Sequence, residues 1–418
     1  MSAVEPIVVI GGGIIGCCTA YHLLEAGAHD VTVLDALEPG AATTGAAAGF
    51  VSQWSPYAPQ FGHEGLALQR YALEFYRRLS EREDIGFHNN GTLNLALSAR
   101  GFAQFLQPAR DNPFGVQLST RSPDEVGELT HGLVDTREIY AGLYDPRGIQ
   151  LEAELAVEAL GRWVEERGAK LRTAIRVLEL RERPAGVEII TSRETFPAAV
   201  VILAAGAWSN ELLRPLEYRL PLLRLLASRI VTNSRGLPAC IPTLQCKELR
   251  LWLRESLGAI TWGSVRGYVP LEQLSPPVSL AYGRPHHPEL LERLREQQHA
   301  ALERIFPPLR HAAVARFLQG VPCYTPDHNL LLGALPGHPR ILVAAGDNET
   351  GVSHGPGLGR VLAETALQRA PFIDARRFRL ERFAPQQYPT EAAVAAALAG
   401  LGALALPPER APAQAAPP

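Results

Sequence analysis

The sequence predicts an α/β fold in which a mainly parallel sheet forms one domain and a second, α+β domain is inserted into it. An apolar strand runs through glycines into a helix at residues 7–24, and an apolar strand at 199–203 ends in small residues. A third strand, at 341–345, again runs into a glycine-rich stretch. Nearly continuous apolar strands are typical of parallel sheets covered on both faces, and ligands bind at their carboxyl ends.

The opening strand, Ile7–Ile10, leads into a G-x-G-x-x-G pattern at Gly11, Gly13 and Gly16. The first glycine permits a tight turn, the second allows close approach of a pyrophosphate, and the third allows the helix to pack on the strand. Asp35 closes the next strand about twenty residues later, where it can accept a ribose hydroxyl. The unit predicts a Rossmann-like dinucleotide site; the alternative is a structural turn without a ligand.

Bulk composition limits the function. The 418 residues are enough for two domains, with 46% hydrophobic and 20% charged residues. The 40 basic and 43 acidic residues give a net charge of -3, so no basic field indicates nucleic acid or an anionic membrane. A small neutral or zwitterionic ligand fits better.

The cysteines and the apolar segments bear on location. Five cysteines, an odd number without metal-ligand spacing, favour a reducing compartment and predict no metal site. We expect no signal peptide before the first strand, and the apolar run at 392–406 is too short and weak for a membrane span. We therefore expect a cytoplasmic protein.

Residues 41–49 carry only small side chains, which suits close contact with a large cofactor. A small-residue turn without a ligand is the alternative. Next come a helix at 66–82, a strand at 91–97, a helix at 100–106 and a helix that begins at Ser122. Because no glycine-rich turn separates them, residues 60–140 are interpreted as part of the inserted domain.

The chain then returns to the first domain. The elements predicted here are a helix at 151–167 and strands at 170–177, 187–191 and 199–203. Mixed strands and a charged helix at 288–305 follow, as the second half of the inserted domain.

One strand of that half alternates in character. Arg250, Trp252 and Arg254 share one face, opposite Leu251 and Leu253. A polar, aromatic face could line a pocket, and a solvated outer face is the equal alternative.

The last glycine-rich stretch, Gly346–Gly359, is predicted to precede a helix at 360–369 whose amino end could receive negative charge. Beyond residue 383 the chain is rich in alanine and proline, and from 407 onward we expect disorder.

Together, the opening glycines, the stretch to Gly49, the Ala-Ala-Gly-Ala-Trp-Ser run from Ala204, the Thr-Pro-Asp at Thr325 and the Gly346–Gly359 stretch resemble the FAD-dependent D-amino-acid oxidase (DAO) superfamily, which includes glycine oxidase and sarcosine oxidase. The resemblance covers about residues 5 to 370. It implies a Rossmann-like FAD-binding domain with an inserted α+β substrate domain built on a mixed sheet. The FAD domain would comprise 1–60, 141–215 and 320–384, the substrate domain 61–140 and 216–319, and an Ala/Pro-rich tail 385–418.

The resemblance also implies a cofactor site for FAD, and because no cysteine stands at the flavin-linking position we expect the FAD to be bound non-covalently. Its expected residues run from the pyrophosphate and ribose contacts, through Val177 at the adenine, to the flavin: Gly11, Gly13, Ile14, Ile15, Gly16, Asp35, Thr43, Thr44, Ala47, Val177, Ala205, Gly206, Trp208, Gly346, Thr350, Gly351, Val352 and Ser353.

The chemistry that the resemblance implies is hydride transfer from a carbon bearing an amine, which gives an imine that water hydrolyses. The alternative is a flavoprotein dehydrogenase subunit that passes electrons to a partner or quinone instead of oxygen. Oxygen-using members often place a lysine over the flavin, and only Lys247 lies near a suitable strand. A scaffold or NAD-binding protein without redox activity is a third reading, disfavoured because the later motifs would have no purpose.

Departures from the family pattern bear on the substrate. Sarcosine-oxidase-type enzymes carry a flavin-linking cysteine at the position of Gly320, so Cys323 is three residues too late. Glycine-oxidase-like members hold the substrate carboxylate with arginines at the positions of Pro322 and Glu349. Glu349 either points to solvent or faces the pocket. If it faces the pocket, we expect a cationic amine, or an amino acid whose carboxylate is held elsewhere, with Arg250 and Arg254 as candidates and Trp252 beside them.

Overall fold

The computed structural model describes residues 5–52, 58–110, 117–233, 236–275, 277 and 285–401. The strands of this part of the chain are β1 (Ile7–Ile10), β2 (Val31–Leu34), β3 (Phe50–Val51), β4 (Thr92–Ala96), β5 (Ser119–Arg121), β6 (Ala141–Asp145), β7 (Ile149–Gln150), β8 (Lys170–Arg172), β9 (Val177–Arg183), β10 (Gly186–Thr191), β11 (Thr195–Ala198), β12 (Val200–Leu203), β13 (Leu223–Thr232), β14 (Thr243–Cys246), β15 (Leu251–Ser256), β16 (Ala259–Ser264), β17 (Val269–Pro270), β18 (Val314–Gly320), β19 (Cys323–Tyr324), β20 (Leu331–Leu335) and β21 (His338–Ala345). The helices are α1 (Ile14–Glu25), α2 (Ala58–Ser80), α3 (Ala99–Arg110), α4 (Pro123–Leu129), α5 (Ala153–Glu166), α6 (Ser209–Leu213), α7 (Glu289–Ile305), α8 (Gly351–Ala366) and α9 (Glu391–Gly400). Within these ranges no helix is both long and apolar enough to cross a membrane.

The first sheet is the one that the opening glycines predict. Its order is β20-β21-β12-β1-β2-β8, and all strands except the edge strand β20 run parallel. β1 and β2 are buried throughout, as strands covered on both faces must be. The carboxyl ends of β1, β12 and β21 therefore meet at one edge, directly before α1, the 206–208 turn and α8.

The second sheet forms one wall of the substrate domain. It runs β17-β13-β16-β15-β14-β4-β6-β5, with β18 and β19 also paired to β13, and its one parallel pair, β14 with β4, makes it mixed, as predicted. One face carries Leu93, Leu253 and Trp262 in an apolar core beneath α7. The other face carries Arg229 and Trp252, and it faces the first domain.

The predicted α/β architecture is confirmed, and helix α2 packs in the core of the parallel sheet. Residues 61–140 were expected in the substrate domain, whereas Phe61 and Leu68 pack with Ile7 and Leu358, in the core of the parallel sheet. Helical periodicity identifies the buried face of a helix but not which core receives it. We therefore propose that the substrate domain begins after α2.

Helix α8 begins at Gly351, nine residues before the predicted start. Glycine was interpreted as loop, but here it permits close packing of two helices. A Cβ atom at Gly359 would lie 2.6 Å from the backbone of Cys18 in α1, and one at Gly355 would lie 3.2 Å from Ile14. Side chains at these positions would force the helices apart.

One other expectation needs correction. The strand predicted at 170–177 is two strands in different sheets, because Ala174 adopts a positive φ of 52° between them. Within the Ala/Pro-rich tail, Val394 and Leu398 of α9 are buried in a cluster with Leu223 and Leu225 of β13. The expected disorder from 407 onward lies outside the described residues.

Candidate functional site

One continuous cleft runs along the carboxyl edge of the parallel sheet and ends beneath the second sheet. Most of the predicted cofactor residues line it, together with two of the predicted substrate residues. These are Gly11, Gly13, Ile14, Ile15, Asp35, Thr43, Thr44, Ala47, Val177, Ala205, Gly206, Trp208, Trp252, Gly346, Glu349, Gly351 and Val352.

The opening turn has the geometry of a phosphate-binding turn. Gly11 adopts φ +111°, and a Cβ there would lie 2.4 Å from the carbonyl oxygen of Ala204. A Cβ at Gly16 would lie 1.8 Å from the carbonyl oxygen of Gly11, so this glycine lets α1 start directly against the turn. Gly13 borders the cleft, where only the hydroxyl oxygen of Thr44 would meet a Cβ, at 3.2 Å. Each glycine thus serves the purpose that its spacing predicts.

Asp35 organises the same turn from the end of β2. Its Oδ2 accepts a hydrogen bond of 2.5 Å from the amide of Gly12, and its Oδ1 accepts one of 2.7 Å from Leu37. Burial raises the pKa of the Asp35 carboxyl, although hydrogen bonds from backbone amides lower it. The carboxylate has lone pairs left for a ribose hydroxyl in the cleft that it lines.

The small-residue stretch 41–49 forms a wall of the cleft and is fixed at several points. The hydroxyl of Thr44 accepts a hydrogen bond of 3.1 Å from Ile14, and that of Thr43 accepts one of 3.1 Å from Val321. Arg229 of the second sheet donates to the carbonyl of Ala46 at 2.9 Å. The stretch therefore joins the glycine turn, at the edge of the first sheet, to the second sheet.

The cleft fits a large, flat cofactor because its walls carry very small side chains along much of their length. These are Ala42, Ala46, Ala47, Ala48, Ala204, Ala205, Gly206, Ala344, Ala345, Gly346 and Gly351. The glycine turn and Asp35 lie on the same cleft. The residues present thus suit a dinucleotide such as FAD.

Some predicted residues lie outside the cleft lining. Thr350 is the N-cap of α8, and its hydroxyl donates to the carbonyl of Asp347 at 2.5 Å. Ser353 lies further into the same helix. Gly16 contributes by packing, as described above. Lys247 is exposed after β14 and does not line the cleft either.

The prediction that Arg250 and Arg254 hold a substrate carboxylate is not supported by their positions. Arg250 is exposed and precedes β15 with a positive φ of 55°. Arg254 is 1% exposed and forms an ion pair of 2.9 Å with Glu152. Its guanidinium also donates to the carbonyls of Ala48 and Leu151, at 2.5 and 3.2 Å. Strand alternation gave the correct face for Arg254 but could not reveal these partners.

Glu349 faces the cleft, which is the condition for the expected cationic substrate. Its Oε1 accepts a hydrogen bond of 2.8 Å from the hydroxyl of Tyr268, and its Oε2 accepts one from the hydroxyl of Tyr324. The residue keeps surface open to the cleft. Removal from bulk water raises the pKa of its carboxyl, the two tyrosine hydrogen bonds lower it, and the nearby charge of Asp347 raises it.

Asp347 is a second carboxylate that lines the same cleft, and the sequence analysis did not identify it. Burial raises the pKa of Asp347 to about 6, although amide hydrogen bonds, including one from Glu349, lower it. Arg229, which lines the cleft from the second sheet, is engaged with backbone carbonyls and with the Thr261 hydroxyl at 2.9 Å. This end of the cleft therefore favours a cation.

Aromatic rings complete this end. Trp252 lies over Gly263, where a Cβ would come within 2.7 Å of the indole, and its ring centre is 5.7 Å from that of Phe50. Tyr268 was missed because only the folded chain brings it to Glu349, 81 positions away. The only sequence signals at this end were the charge at Glu349 and the alternation around Trp252.

Comparison with known proteins gives consistent similarities. Residues 6–365 match the family described as DAO, FAD dependent oxidoreductase. The chain is 27% identical over 382 residues to dimethylglycine dehydrogenase of Rattus norvegicus, covering 88% of this chain and 43% of that protein. It is 29% identical over 412 residues to 4-methylaminobutanoate oxidase (formaldehyde-forming) of Paenarthrobacter nicotinovorans, covering 95% of this chain and 48% of that protein. The chain thus spans less than half the length of these relatives.

Solved structures share the fold. Glycine oxidase from Geobacillus kaustophilus superposes with a TM-score of 0.77 at 21% identity, over 91% of this chain and 99% of that one.

Proposed function

This chain belongs to the DAO family of FAD dependent oxidoreductases, and from that premise we propose that it oxidises the C–N bond of a cationic amine. Bound FAD would accept the hydride from the carbon that carries the nitrogen, and water would hydrolyse the resulting imine. The residues that suit FAD are the glycine turn, Asp35 and the small-residue walls. The chain's own contribution would be to bind the amine, orient it and shield it from solvent.

The observation that carries the substrate assignment is the Glu349 carboxylate at the end of the cleft. Two tyrosine hydroxyls hold it, so it presents a fixed negative charge where a carboxylate-binding arginine would be expected by resemblance. An ammonium group gains from that charge and from the indole face of Trp252, since cations are attracted to aromatic faces. A substrate carboxylate placed there would be repelled by Glu349 and Asp347.

Two relatives are named for substrates with methylated nitrogen, which supports an N-alkyl amine as the class to test first. We propose that an amine without a carboxylate next to the reacting carbon is preferred. Glycine and sarcosine should be poor substrates, because their carboxylate would lie close to Glu349.

The experiment is an anaerobic screen of the purified, FAD-loaded protein. Primary, secondary and tertiary amines and amino acids are added singly, and loss of the flavin absorbance near the visible maximum reports reduction. Bleaching by N-alkyl amines that is lost in Glu349→Gln, with FAD retained, supports the proposal. Efficient reduction by glycine or sarcosine contradicts the substrate assignment, and a protein that cannot be loaded with FAD contradicts the oxidoreductase proposal itself.

The identity of the electron acceptor distinguishes an oxidase from a dehydrogenase. A dehydrogenase that passes electrons to a partner or quinone is the second candidate, and the two lysines of the chain, Lys170 and Lys247, both lie outside the cleft. Readmission of oxygen to the bleached protein separates the candidates: an oxidase reoxidises at once, whereas a dehydrogenase needs an added quinone or dye. The cytoplasmic location is likewise a proposal, supported by five free cysteines.

A further inference from the structure

The segment that follows the family match folds back under the substrate end of the cleft. The match ends at residue 365, and α9 lies beyond it. Thr390 caps the helix by accepting a hydrogen bond of 3.2 Å from Ala393. The helix packs against β13, a strand whose residues 227–229 line the cleft.

Two apolar side chains of α9 belong to the same buried cluster as the tyrosines of the site. Val394 and Leu398 are 1% and 0% exposed, and they share one apolar cluster with Tyr268 and Tyr324. The same two tyrosines donate their hydroxyls to Glu349. Each tyrosine therefore lies in the cluster that α9 completes and is tied to the Glu349 carboxylate.

A buried ion pair fixes the start of the helix. Glu391 is 4% exposed, and its Oε2 accepts a hydrogen bond of 2.9 Å from the amide of Arg224. Its Oε1 accepts one of 2.6 Å from the Arg224 guanidinium. Arg224 pairs in register with Cys323, the residue before Tyr324. The pair thus ties α9 to the backbone that carries one of the tyrosines.

A second ion pair holds the chain before α9. The guanidinium of Arg382 lies 2.7 Å and 3.0 Å from the two carboxylate oxygens of Asp327, three residues after Tyr324. The segment is therefore anchored by two ion pairs, one to Arg224 on the strand paired with Cys323 and one to Asp327, three residues after Tyr324.

We propose that α9 is a positioning element for substrate recognition, which holds Tyr268 and Tyr324 and, through them, the Glu349 carboxylate in the orientation that receives an ammonium group. The inference rests on the proposed function, because it concerns the same carboxylate. A helix that only stabilised the sheet would affect folding without regard to Glu349. A helix that positions the tyrosines must act on ammonium binding through Glu349, and the two roles can be separated.

The test measures binding of benzyltrimethylammonium to the FAD-loaded protein from the perturbation of the flavin spectrum. Leu398→Ala disturbs the apolar contact of α9, and Glu391→Gln disturbs its ion pair. Because Glu391→Gln keeps the side-chain shape, it still tests the proposal if Leu398→Ala prevents folding. Leu302→Ala is the matched control, since Leu302 is also buried, at 5% exposed, but belongs to the apolar cluster on the opposite face of the second sheet. Each variant is made alone and together with Glu349→Gln.

We expect Leu398→Ala and Glu391→Gln to raise the Kd of the probe roughly 5- to 10-fold with FAD content unchanged, a coupling typical of residues in one network. Leu302→Ala should leave the Kd unchanged. In the Glu349→Gln background the effect of the α9 variants should vanish.

Three results would overturn the proposal. Equal effects of the α9 variants with and without Glu349→Gln would show that the helix acts independently of the carboxylate. If neither α9 variant changes the Kd of the probe while Glu349→Gln alone raises it, the positioning role is refuted and the ammonium site stands. If Glu349→Gln itself leaves the Kd of the probe unchanged, both the ammonium site and the positioning role are refuted.

Discussion

The hydroxyl of Tyr268 donates a hydrogen bond of 2.8 Å to Oε1 of Glu349, across 81 positions of sequence. Tyr268 follows β16 of the second sheet, whereas Glu349 lies between β21 and α8 at the edge of the first. The bond therefore joins the two domains at the end of the cleft. It also favours the ionised carboxyl, since a donor stabilises negative charge on its acceptor.

Removal of that donor should move the pH dependence of cation binding. A cationic probe needs Glu349 ionised, so its affinity falls as the pH drops through the pKa of Glu349. The Tyr268 hydrogen bond lowers this pKa, so Tyr268→Phe should raise it. A hydrogen bond to a charged group is worth about 1.5 kcal/mol, which corresponds to an upward shift of the midpoint by about one pH unit. Titration of benzyltrimethylammonium affinity against pH measures the midpoint. Tyr140→Phe, at a tyrosine that is 52% exposed, is the control, and an unshifted midpoint in Tyr268→Phe would contradict the expectation.

Asp35→Ala should weaken retention of FAD without unfolding the chain. The substitution removes the ribose acceptor and also the acceptor of the Gly12 and Leu37 amides, so the glycine turn loses its support. One charged hydrogen bond of about 1.5–3 kcal/mol corresponds to a roughly 10- to 100-fold rise in the Kd for FAD. Fluorescence of FAD released on ultrafiltration gives the Kd, and thermal unfolding followed by circular dichroism checks the fold.

Asp30→Ala is the matched control for that variant. Asp30 pairs with Lys170 at the amino end of the same strand, away from the cleft. Equal retention of FAD by wild type and Asp35→Ala, or a wild type that binds NAD in place of FAD, would refute the assignment.

The cofactor half of the site was predictable because it is local in sequence. The turn at Gly11–Gly16, the strand before it and Asp35 lie within one supersecondary unit, whose spacing fixes their geometry. The substrate half was not, because it depends on partners brought together by folding. Arg254 was placed on the correct face, yet its ion pair with Glu152 joins positions 102 apart, and nothing near Glu349 in sequence indicates Tyr268.

Composition also misled where one residue type serves two purposes. Glycines from 351 onward were interpreted as loop, whereas Gly355 and Gly359 lie in α8 at its contact with α1. The alanine-rich stretch of α9 was not predicted as a helix, although Val394 and Leu398 at helical spacing bury one face. Glycine and alanine are small enough for loops and for tight interfaces alike.

The flavin should not be attached through Cys323. Its thiol is 2% exposed, and burial raises its pKa well above its usual range, so a reactive thiolate is disfavoured. The position where the resemblance places a flavin-linking cysteine is Gly320, which packs so closely that a Cβ would lie 3.0 Å from that of Ala46. Acid precipitation should release the yellow colour into the supernatant. Colour that stays with the pellet in wild type but is lost in Cys323→Ser would show a covalent link.

Gly359→Ala should destabilise the protein and reduce FAD binding together. Alanine is intrinsically better than glycine in a helix by about 1 kcal/mol, but its Cβ would lie 2.6 Å from the backbone carbon of Cys18 and the backbone nitrogen of Thr19. Backbone atoms cannot move aside as a side-chain end can, and overpacking of this kind costs about 1–3 kcal/mol, so the steric cost should exceed the gain. Displacement of α1 would also shift the glycine turn at its amino end. Urea unfolding of Gly359→Ala should therefore show a lower midpoint than wild type. Gly400→Ala is the control, because a Cβ there meets nothing within 4 Å, and it should be neutral or slightly stabilising. Equal midpoints for the two variants would show that the α1 and α8 helices can move apart without cost.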